Sequence, residues 1–413
     1  MTSPETPAAP AVPAAPAVPV APAVPVANAI AAMAGELTEW RRDFHRHPEL
    51  GYQEERTARV VAERLRAFGL DAVETGIGGT GVVGVLHGAG GPGGQALMIR
   101  ADMDALPITE ATGAAHASTN PGVMHACGHD GHTTMLLGAA KRLAETRAFA
   151  GTVYFCFQPA EEGGAGAKAM IEDGLFERFP PARVFGMHNW PGLAAGHVAL
   201  ADGPIFASAG EFTITVRGRG GHAAFPHFAA DPIVAASALV QAMQTVVSRT
   251  VDPQQPAVLS ITEFHAGFAH NVIPDEARLT GTTRSFDDGV QALIEGAMDR
   301  IAAGIGAAYG VEIAIERGKN PYPATVNDRA ETDFAEAAAR DILGDAVVTR
   351  GHPPAMVGED FSFMANKVPG CYLLIGNGAT ETLHHPGYDF NDAALPAGVA
   401  LWSGLVERAL PRE

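Results

Sequence analysis

The chain has 413 residues, more than one hydrophobic core usually serves, so two domains are expected. Apolar residues make up 47% of the sequence and charged residues 18%, values that exclude a disordered chain. Asp+Glu 46 against Lys+Arg 28 gives a formal net charge of -18, and a surface this acidic repels the phosphates of nucleic acids and anionic membranes. We therefore expect neither nucleic acid nor a membrane as a partner.

The first 29 residues form an Ala/Pro/Val tract. Proline at this density blocks helix formation and leaves an extended, solvated chain. A basic start followed by an uninterrupted apolar run would mark a signal peptide, and the tract has neither. We predict that residues 1–29 are a disordered tail outside the fold; a tether or docking arm is the alternative.

Residues 30–68 carry apolar side chains at helical intervals, interrupted at His47-Pro48-Glu49. Helical pieces on either side of a turn are the expected structure. The segment from Gly76 to Gly81, GIGGTG, then matches the G-x-G-x-x-G pattern of dinucleotide sites. That pattern works only where the glycines open a helix, and Val82-Val83-Gly84-Val85-Leu86 reads as a strand. We therefore reject a nicotinamide or flavin site.

Short, continuously apolar runs follow, and polar residues come directly after each of them. Such runs are typical of strands buried on both faces, as in a helix-covered sheet. Helical stretches at 133–146 and 331–343 separate several of the runs. Sheets of this kind bind ligands beyond the carboxyl ends of their strands. The prediction is an α/β catalytic domain with a helix-covered mixed sheet, built from residues 30–207 and 319–413. The runs are 96–99, 153–157, 184–187 and 372–375.

Residues 208–318 have a different pattern, with segments that alternate like half-buried strands and two long helical stretches. Their order is β-α-β-β-α-β, that of a ferredoxin-like sandwich. Because strand-plus-polar runs resume afterwards, we predict an inserted α+β domain at 208–318.

The strongest local signal is CGHDGH, from Cys127 to His132. Cys127 and His129 offer a thiolate and an imidazole two residues apart, ligands that suit Zn and related ions. Taken alone, the pair is better explained by a buried cysteine beside structural histidines, and the metal interpretation becomes preferable only when the other polar clusters are counted. Cys156 and Cys371 lie inside apolar runs and are interpreted as core residues. This sparse cysteine content argues against disulfides and indicates a reducing compartment, the cytoplasm.

Glu161 and Glu162 follow an apolar run directly and would repel each other without a nearby cation. A metal removes that difficulty: one carboxylate can coordinate it while the other takes a proton from water. A solvated acidic loop is the alternative. His188 and His384 also follow apolar runs, on the same side of the expected sheet, and become candidate ligands.

Asp102 and Asp104 alternate after a further run. Asp104 is expected to orient a ligating imidazole, as metal-bound histidines usually require, whereas a strand-end cap is an equal explanation for Asp102. Glu359 and Asp360, in VGEDFSFM, either line the cleft or cap the next helix.

With CGHDGH, QPAEEGGAGAKAM, GMHNWP and LHHPGYDFND in order, the sequence from about Leu37 onward resembles the two-metal amidohydrolases that include hippurate hydrolase, aminoacylases and indole-acetyl-amino-acid hydrolases. The resemblance implies a catalytic α/β domain plus an inserted lid or dimerisation domain, and a homodimer formed through the inserted domain. It also implies cleavage of the amide bond of N-acyl amino acids, either hippurate-like or acetylated, by a metal-activated water.

The resemblance assigns roles residue by residue. Two divalent ions, Mn or Zn, are implied, and Glu161 is implied as the general acid/base. His222, in GRGGHAAFPH, is implied to reach the partner subunit's site and bind the oxyanion, and Asn271, in HNVIPDEA, to contact substrate. His385 leaves an ambiguity, since it could exchange roles with its neighbour. The implied ligands are Cys127, His129, Glu162, His188 and His384.

Two other functions fit the same residues. A dipeptidase or exopeptidase would act on a free amino terminus with similar metal chemistry. A metal-binding or sensing protein could keep the fold without catalysis, but Glu161 is a carboxylate that storage does not need.

Overall fold

The computed structural model describes residues 24–91 and 93–412. Most of the tail predicted for residues 1–29, up to residue 23, therefore lies outside the described residues. In the described part no helix combines the length and apolar character needed to cross a bilayer, and Cys127, Cys156 and Cys371 are free and buried.

The helices are α1 (Val24–Arg46), α2 (Glu55–Ala67), α3 (His129–Thr146), α4 (Gly166–Glu172), α5 (Leu175–Arg178), α6 (Pro232–Thr245), α7 (Asp288–Tyr309), α8 (Arg329–Leu343), α9 (Phe361–Ala365) and α10 (Leu395–Ala409). The strands are β1 (Ala72–Ile77), β2 (Gly81–His87), β3 (Ala96–Asp102), β4 (Thr152–Gln158), β5 (Arg183–Pro191), β6 (Val198–Leu200), β7 (Pro204–Phe206), β8 (Ser208–Arg217), β9 (Gly221–His222), β10 (Ala257–Ala266), β11 (Val272–Ile273), β12 (Glu276–Ser285), β13 (Glu312–Arg317), β14 (Thr325–Val326), β15 (Val348–Arg350) and β16 (Gly370–Gly378).

Helix α1 begins at Val24, within the last residues of the stretch 1–29 that the sequence assigns to the tail. Pro25 is the second residue of this helix. A proline in the first helical turn costs little, since the amide it lacks would have no partner within the helix. The proline-rich stretch therefore continues into the first turn of α1.

A mixed eight-stranded sheet forms the larger layer, in the order β1-β2-β4-β3-β5-β16-β6-β15. Its centre is parallel, through the pairs β4–β3, β3–β5 and β5–β16, and β2 and β6 join it antiparallel. Both faces are covered, and β3 shows how: Leu97 and Ile99 pack into one hydrophobic core, whereas Met98 packs into the core on the opposite face. Two-sided burial explains why these strands are apolar without alternation.

The GIGGTG segment forms a hairpin turn between β1 and β2, which pair antiparallel. A strand, not a helix, follows the glycines. No helix amino terminus is therefore available there for a pyrophosphate, in agreement with the sequence interpretation.

A second, four-stranded sheet is formed within residues 208–317, in the order β10-β12-β8-β13. All its neighbouring strands are antiparallel. Helices α6 and α7 cover one face with apolar side chains such as Leu239, Met243 and Met298. Burial alternates along β8, because only one face of this sheet is covered.

Helices α1, α3 and α10 pack closely on one face of the large sheet, and glycine permits this approach. A Cβ at Gly138 of α3 would lie 2.5 Å from Val399 Cγ2 of α10 and 2.8 Å from Leu37 Cδ2 of α1. Gly35 of α1, in contrast, is exposed, and a Cβ there would meet nothing within 4 Å.

We predict opposite effects on stability for the same change at these two helical glycines. Gly138→Ala should lower the free energy of unfolding by about 1–3 kcal/mol because the added methyl overpacks the helix contact. Gly35→Ala should raise it by about 0.5–1 kcal/mol because alanine restricts the unfolded chain. Denaturant titration of both variants checks this, and a Gly138→Ala protein as stable as the wild type would contradict the packing described.

Candidate active site

Polar side chains converge at the carboxyl edge of the parallel strands. Asp102 ends β3, Glu161 follows β4, His188 lies near the end of β5, and His384 follows β16. Cys127 comes just before α3, and His129 is the first residue of that helix. Because parallel strands end at one edge, residues far apart in sequence meet here.

The implied ligands are brought together as overlapping groups. Ligand atoms within each group lie within 4.8 Å of one another, and Cys127 Sγ is 3.3 Å from His188 Nε2. The groups are Cys127 with His129 and His188, Cys127 with Glu162 and His384, and His129 with Glu161 and Glu162. The residues implied by the resemblance therefore share one small volume.

His384, not His385, faces this cluster. His384 Nε2 lies 3.1 Å from Glu162 Oε1, whereas His385 Nδ1 accepts a hydrogen bond from the Gly387 amide and lies 3.8 Å from Glu381. The backbone of His384 has a φ of 63°, a left-handed conformation that costs energy for a residue with a side chain. The geometry favours His384 as the ligand of the pair.

Asp104 links the helix that carries His129 to the loop that carries the paired glutamates. Its carboxylate lies 3.3 Å from His129 Nδ1 and accepts the backbone amides of Glu161 at 3.0 Å and Glu162 at 2.9 Å. One carboxylate thus sets the relative position of an imidazole and two acids.

Several ligand atoms are buried without a good hydrogen bond, which is costly unless something else binds them. Both ring nitrogens of His129 and Oε1 of Glu162 have no hydrogen-bond partner of good geometry among the described residues, although carboxylate or imidazole atoms lie nearby. Sulfur, imidazole and carboxylate donors of this kind suit Zn and Mn. The residues therefore fit divalent metal ions.

Electrostatics at the cluster also favour a cation. Burial, then the carboxylates of Glu359 and Glu162, raise the pKa of Glu161 well above its usual range. Burial, then the carboxylates of Glu162 and Glu161, also raise the pKa of the Cys127 thiol well above its usual range. Burial by itself lowers the pKa of His129, but Asp102 and Asp104 outweigh it and raise the value to about 10. A divalent cation would lower the pKa values of Glu161 and Cys127, because it stabilises their charged forms.

Arg100 lies buried beneath the cluster and partly balances its acids. Its guanidinium is 2.7 Å from Asp102, 3.0 Å from Glu359 and 2.9 Å from Asp360. Glu359 lines the cavity and also accepts the amide of Phe361 at the start of α9. Glu359 therefore both lines the cleft and caps α9, the two roles that the sequence left open. Asp360, in contrast, is fully buried.

Sequence reasoning missed two supporting residues. His132 Nδ1 lies 2.6 Å from Asp102 Oδ1, and its Nε2 accepts the Asn189 amide at 2.9 Å, so it joins α3 to β5. Its place three residues after His129 on a helix was the available signal. Glu54 is buried and accepts the amide of Ala160 at 2.8 Å and the hydroxyl of Thr80 at 2.6 Å. Nothing in the sequence around Glu54 indicates this contact.

A cavity of about 560 Å³ opens at the cluster. Trp190, Phe206 and Leu383 give it apolar surface, and Arg284 and Lys319 contribute cations. Neither cation forms an ion pair within 4.0 Å with another described residue. The cavity thus carries two cations beside four acidic lining residues, Glu161, Glu162, Glu211 and Glu359.

His222 and Asn271 are placed together but apart from the cluster. His222 lies on the small β9–β11 sheet and pairs with Val272, and Asn271 directly precedes β11, where its carbonyl accepts the amide of Ala223 at 3.0 Å. Both side chains are exposed, and within the described chain neither residue lines the cavity.

A buried carboxylate beside a group of metal ligands, at the edge of a helix-covered mixed sheet, is suited to activating water. The protein is accordingly a hydrolase of the metal-binding α/β class. The chain belongs to peptidase family M20/M25/M40, whose model matches residues 98–408.

Relatives of known name support this placement. The chain is 43% identical to hippurate hydrolase of Campylobacter jejuni, covering 92% of this chain and 98% of the relative. It is 41% identical to N-acetylcysteine deacetylase of Bacillus subtilis, covering 87% and 93%. A crystal structure from Bacillus subtilis, described as a dinuclear metal binding peptidase from the M20 family, matches with a TM-score of 0.79 at 35% identity, covering 92% of this chain and 99% of that one.

The three buried cysteines allow a matched test of the metal cluster. Cys127→Ala should lower the metal content relative to the wild type, because the thiolate lies in two of the ligand groups. Cys156→Ala removes an equally buried thiol from β4, outside these groups, and should leave the content unchanged. Elemental analysis of both variants measures the difference; equal metal in Cys127→Ala and wild type would exclude the thiolate as a ligand.

Proposed function

We propose that the protein is an N-acyl-amino-acid amidohydrolase that removes an acetyl or aroyl group from the amino nitrogen. The convergence of the five implied ligands in overlapping groups, one of which joins Glu161 to His129 and Glu162, carries this proposal, and the names of the relatives support the substrate class. In this proposal residues 30–207 and 319–413 form the catalytic domain, and residues 208–318 form an inserted lid and dimerisation domain.

The cavity suits a substrate with one anionic and one apolar end. Arg284 and Lys319 would bind the free carboxylate of the amino acid, because neither forms an ion pair within 4.0 Å with an acidic side chain of the described residues. Trp190, Phe206 and Leu383 would contact the acyl group. A dipeptidase would instead have to accommodate a free ammonium group, so dipeptides are the substrates that separate the two functions.

Two divalent ions, Mn or Zn, would be held by Cys127, His129, Glu162, His188 and His384. When bound, such ions lower the pKa of water from 15.7 to about 7 and polarise the amide carbonyl. Glu161 would accept the proton of the attacking water and deliver it to the departing amine nitrogen. Asp104 would hold both His129 and the Glu161 backbone in place during these steps.

His222 and Asn271 would act in the site of a second copy of the chain. The ring of Phe225 lies 5.4 Å from that of His222, and Phe225, Phe228 and Phe268 are all exposed. Edge strand β10 also presents an unpaired backbone, and exposed edges and apolar patches favour association. A homodimer through this domain would cover these groups and bring His222 to the oxyanion of the partner's site. Three free cysteines, one of them a thiolate ligand, suit the cytoplasm.

Glu161→Gln tests the chemical proposal. The variant should bind metal as the wild type does and lose nearly all turnover, since glutamine cannot transfer the proton. Hydrolysis of N-acetyl, N-benzoyl and free dipeptide substrates by the wild type, measured beside the variant, identifies the class. Preference for free dipeptides, or near-normal turnover by Glu161→Gln, would contradict the proposal.

A mixing experiment tests the role of His222. Glu161→Gln and His222→Ala should each be nearly inactive alone. Unfolded and refolded together, they should recover roughly a quarter of wild-type activity, because half of the dimers are mixed and each has one complete site. Mixing without subunit exchange is the control, and absence of recovery in refolded mixed dimers would show that His222 serves its own subunit.

A further inference from the structure

The loop between Ala160 and Ala165 carries both glutamates and has an unfavourable backbone. Ala160 has a φ of 50° and Ala165 a φ of 54°, left-handed values that residues with a side chain rarely adopt. Such a conformation persists only where surrounding contacts determine it. Glu54 and Asp104 hold its first half through the amides of Ala160, Glu161 and Glu162.

Tyr322 holds the other half through its hydroxyl. The hydroxyl donates to the backbone carbonyl of Glu161 at 2.6 Å and accepts the backbone amide of Ala165 at 3.0 Å. Tyr322 is 7% exposed, and its ring packs edge-on against Phe363. A single buried oxygen thus closes the loop from Glu161 to Ala165.

The backbone of Tyr322 belongs to the connection that leaves the four-stranded sheet. Its amide and carbonyl both pair with Ala209, at 2.9 Å each, where β8 enters that sheet. The incoming and outgoing connections are therefore joined at the residue whose side chain holds the glutamate loop. A movement of the second sheet relative to the first would therefore shift the paired backbones of Tyr322 and Ala209, and with them the glutamate loop.

We infer that Tyr322 is a positioning residue, which sets Glu161 for proton transfer and ties that setting to the placement of residues 208–318. Tyr322 lines the cavity, but its hydroxyl is hydrogen-bonded to the backbone of Glu161 and Ala165, so its effect passes through the Glu161 backbone. The expected loss of activity rests on the proposed function, whereas the role of Tyr322 in holding the loop at 160–165 does not.

Tyr322→Phe removes the hydroxyl and keeps the ring. We expect kcat on the best N-acyl amino acid to fall roughly tenfold to hundredfold, because small displacements of a catalytic group cost this much. KM should change less than about threefold, and metal content should stay the same. Hydrogen–deuterium exchange of peptides spanning 160–166 should become faster, since the Ala165 amide loses its acceptor.

Tyr52→Phe is the matched control. The Tyr52 hydroxyl donates to Gly164 of the same loop at 2.7 Å, but its side chain is exposed and its backbone is remote from the second sheet. This variant should keep kcat within about threefold of wild type and leave exchange at 160–166 unchanged.

Equal losses in the two tyrosine variants, a kcat within twofold of wild type in Tyr322→Phe, or loss of its metal would each overturn the inference. Unchanged exchange at 160–166 would overturn it as well, whatever the activity. A wild-type protein inactive on all N-acyl amino acids would contradict the proposed function alone, and the exchange measurement would still decide the role of Tyr322.

Discussion

Negative charge buried at one edge of the large sheet is the constraint on which the site depends. Six carboxylates lie in the ligand cluster or directly beneath it, and the guanidinium of Arg100 contacts three of them. Isolated charges are expensive to bury, and one guanidinium cannot neutralise this number. Divalent cations would supply the missing charge, so the ligand set and the acids around it form one electrostatic unit. The carboxylates are Asp102, Asp104, Glu161, Glu162, Glu359 and Asp360.

Backbone strain is concentrated at the same place. Ala160, Ala165 and His384 all have left-handed backbones: the two alanines bound the loop that carries Glu161 and Glu162, and His384 is itself an implied ligand. Side chains from distant elements hold these positions, among them Glu54 and Asp104. Strain of this kind is maintained by the rest of the fold. The buried polar residues around the site are therefore as necessary to it as the ligands.

The two sheets have different surfaces, and this difference bears on assembly. The large sheet is covered on both faces, whereas the four-stranded sheet is covered on one and carries exposed phenylalanines nearby. Apolar side chains left exposed on an acidic protein indicate an association surface. His222 lies among them, remote from the cluster of its own chain, which is why its proposed role requires a second copy.

Much of this molecule is determined locally by its sequence. Apolar runs without alternation are enough to indicate strands buried on both faces, and Cys127, Glu161, Glu162, His188 and His384 each stand where such a run or a helix begins or ends. The start of α1 could not be predicted as well from the sequence. A proline in the first turn of a helix is tolerated, so the prolines do not mark where the helix begins. Only the tertiary structure decided which of His384 and His385 faces the cluster, and how Glu54, Thr80, His132 and Tyr322 support it. Those contacts join residues far apart in the chain, and their geometry arises from packing, which no local pattern of residues encodes.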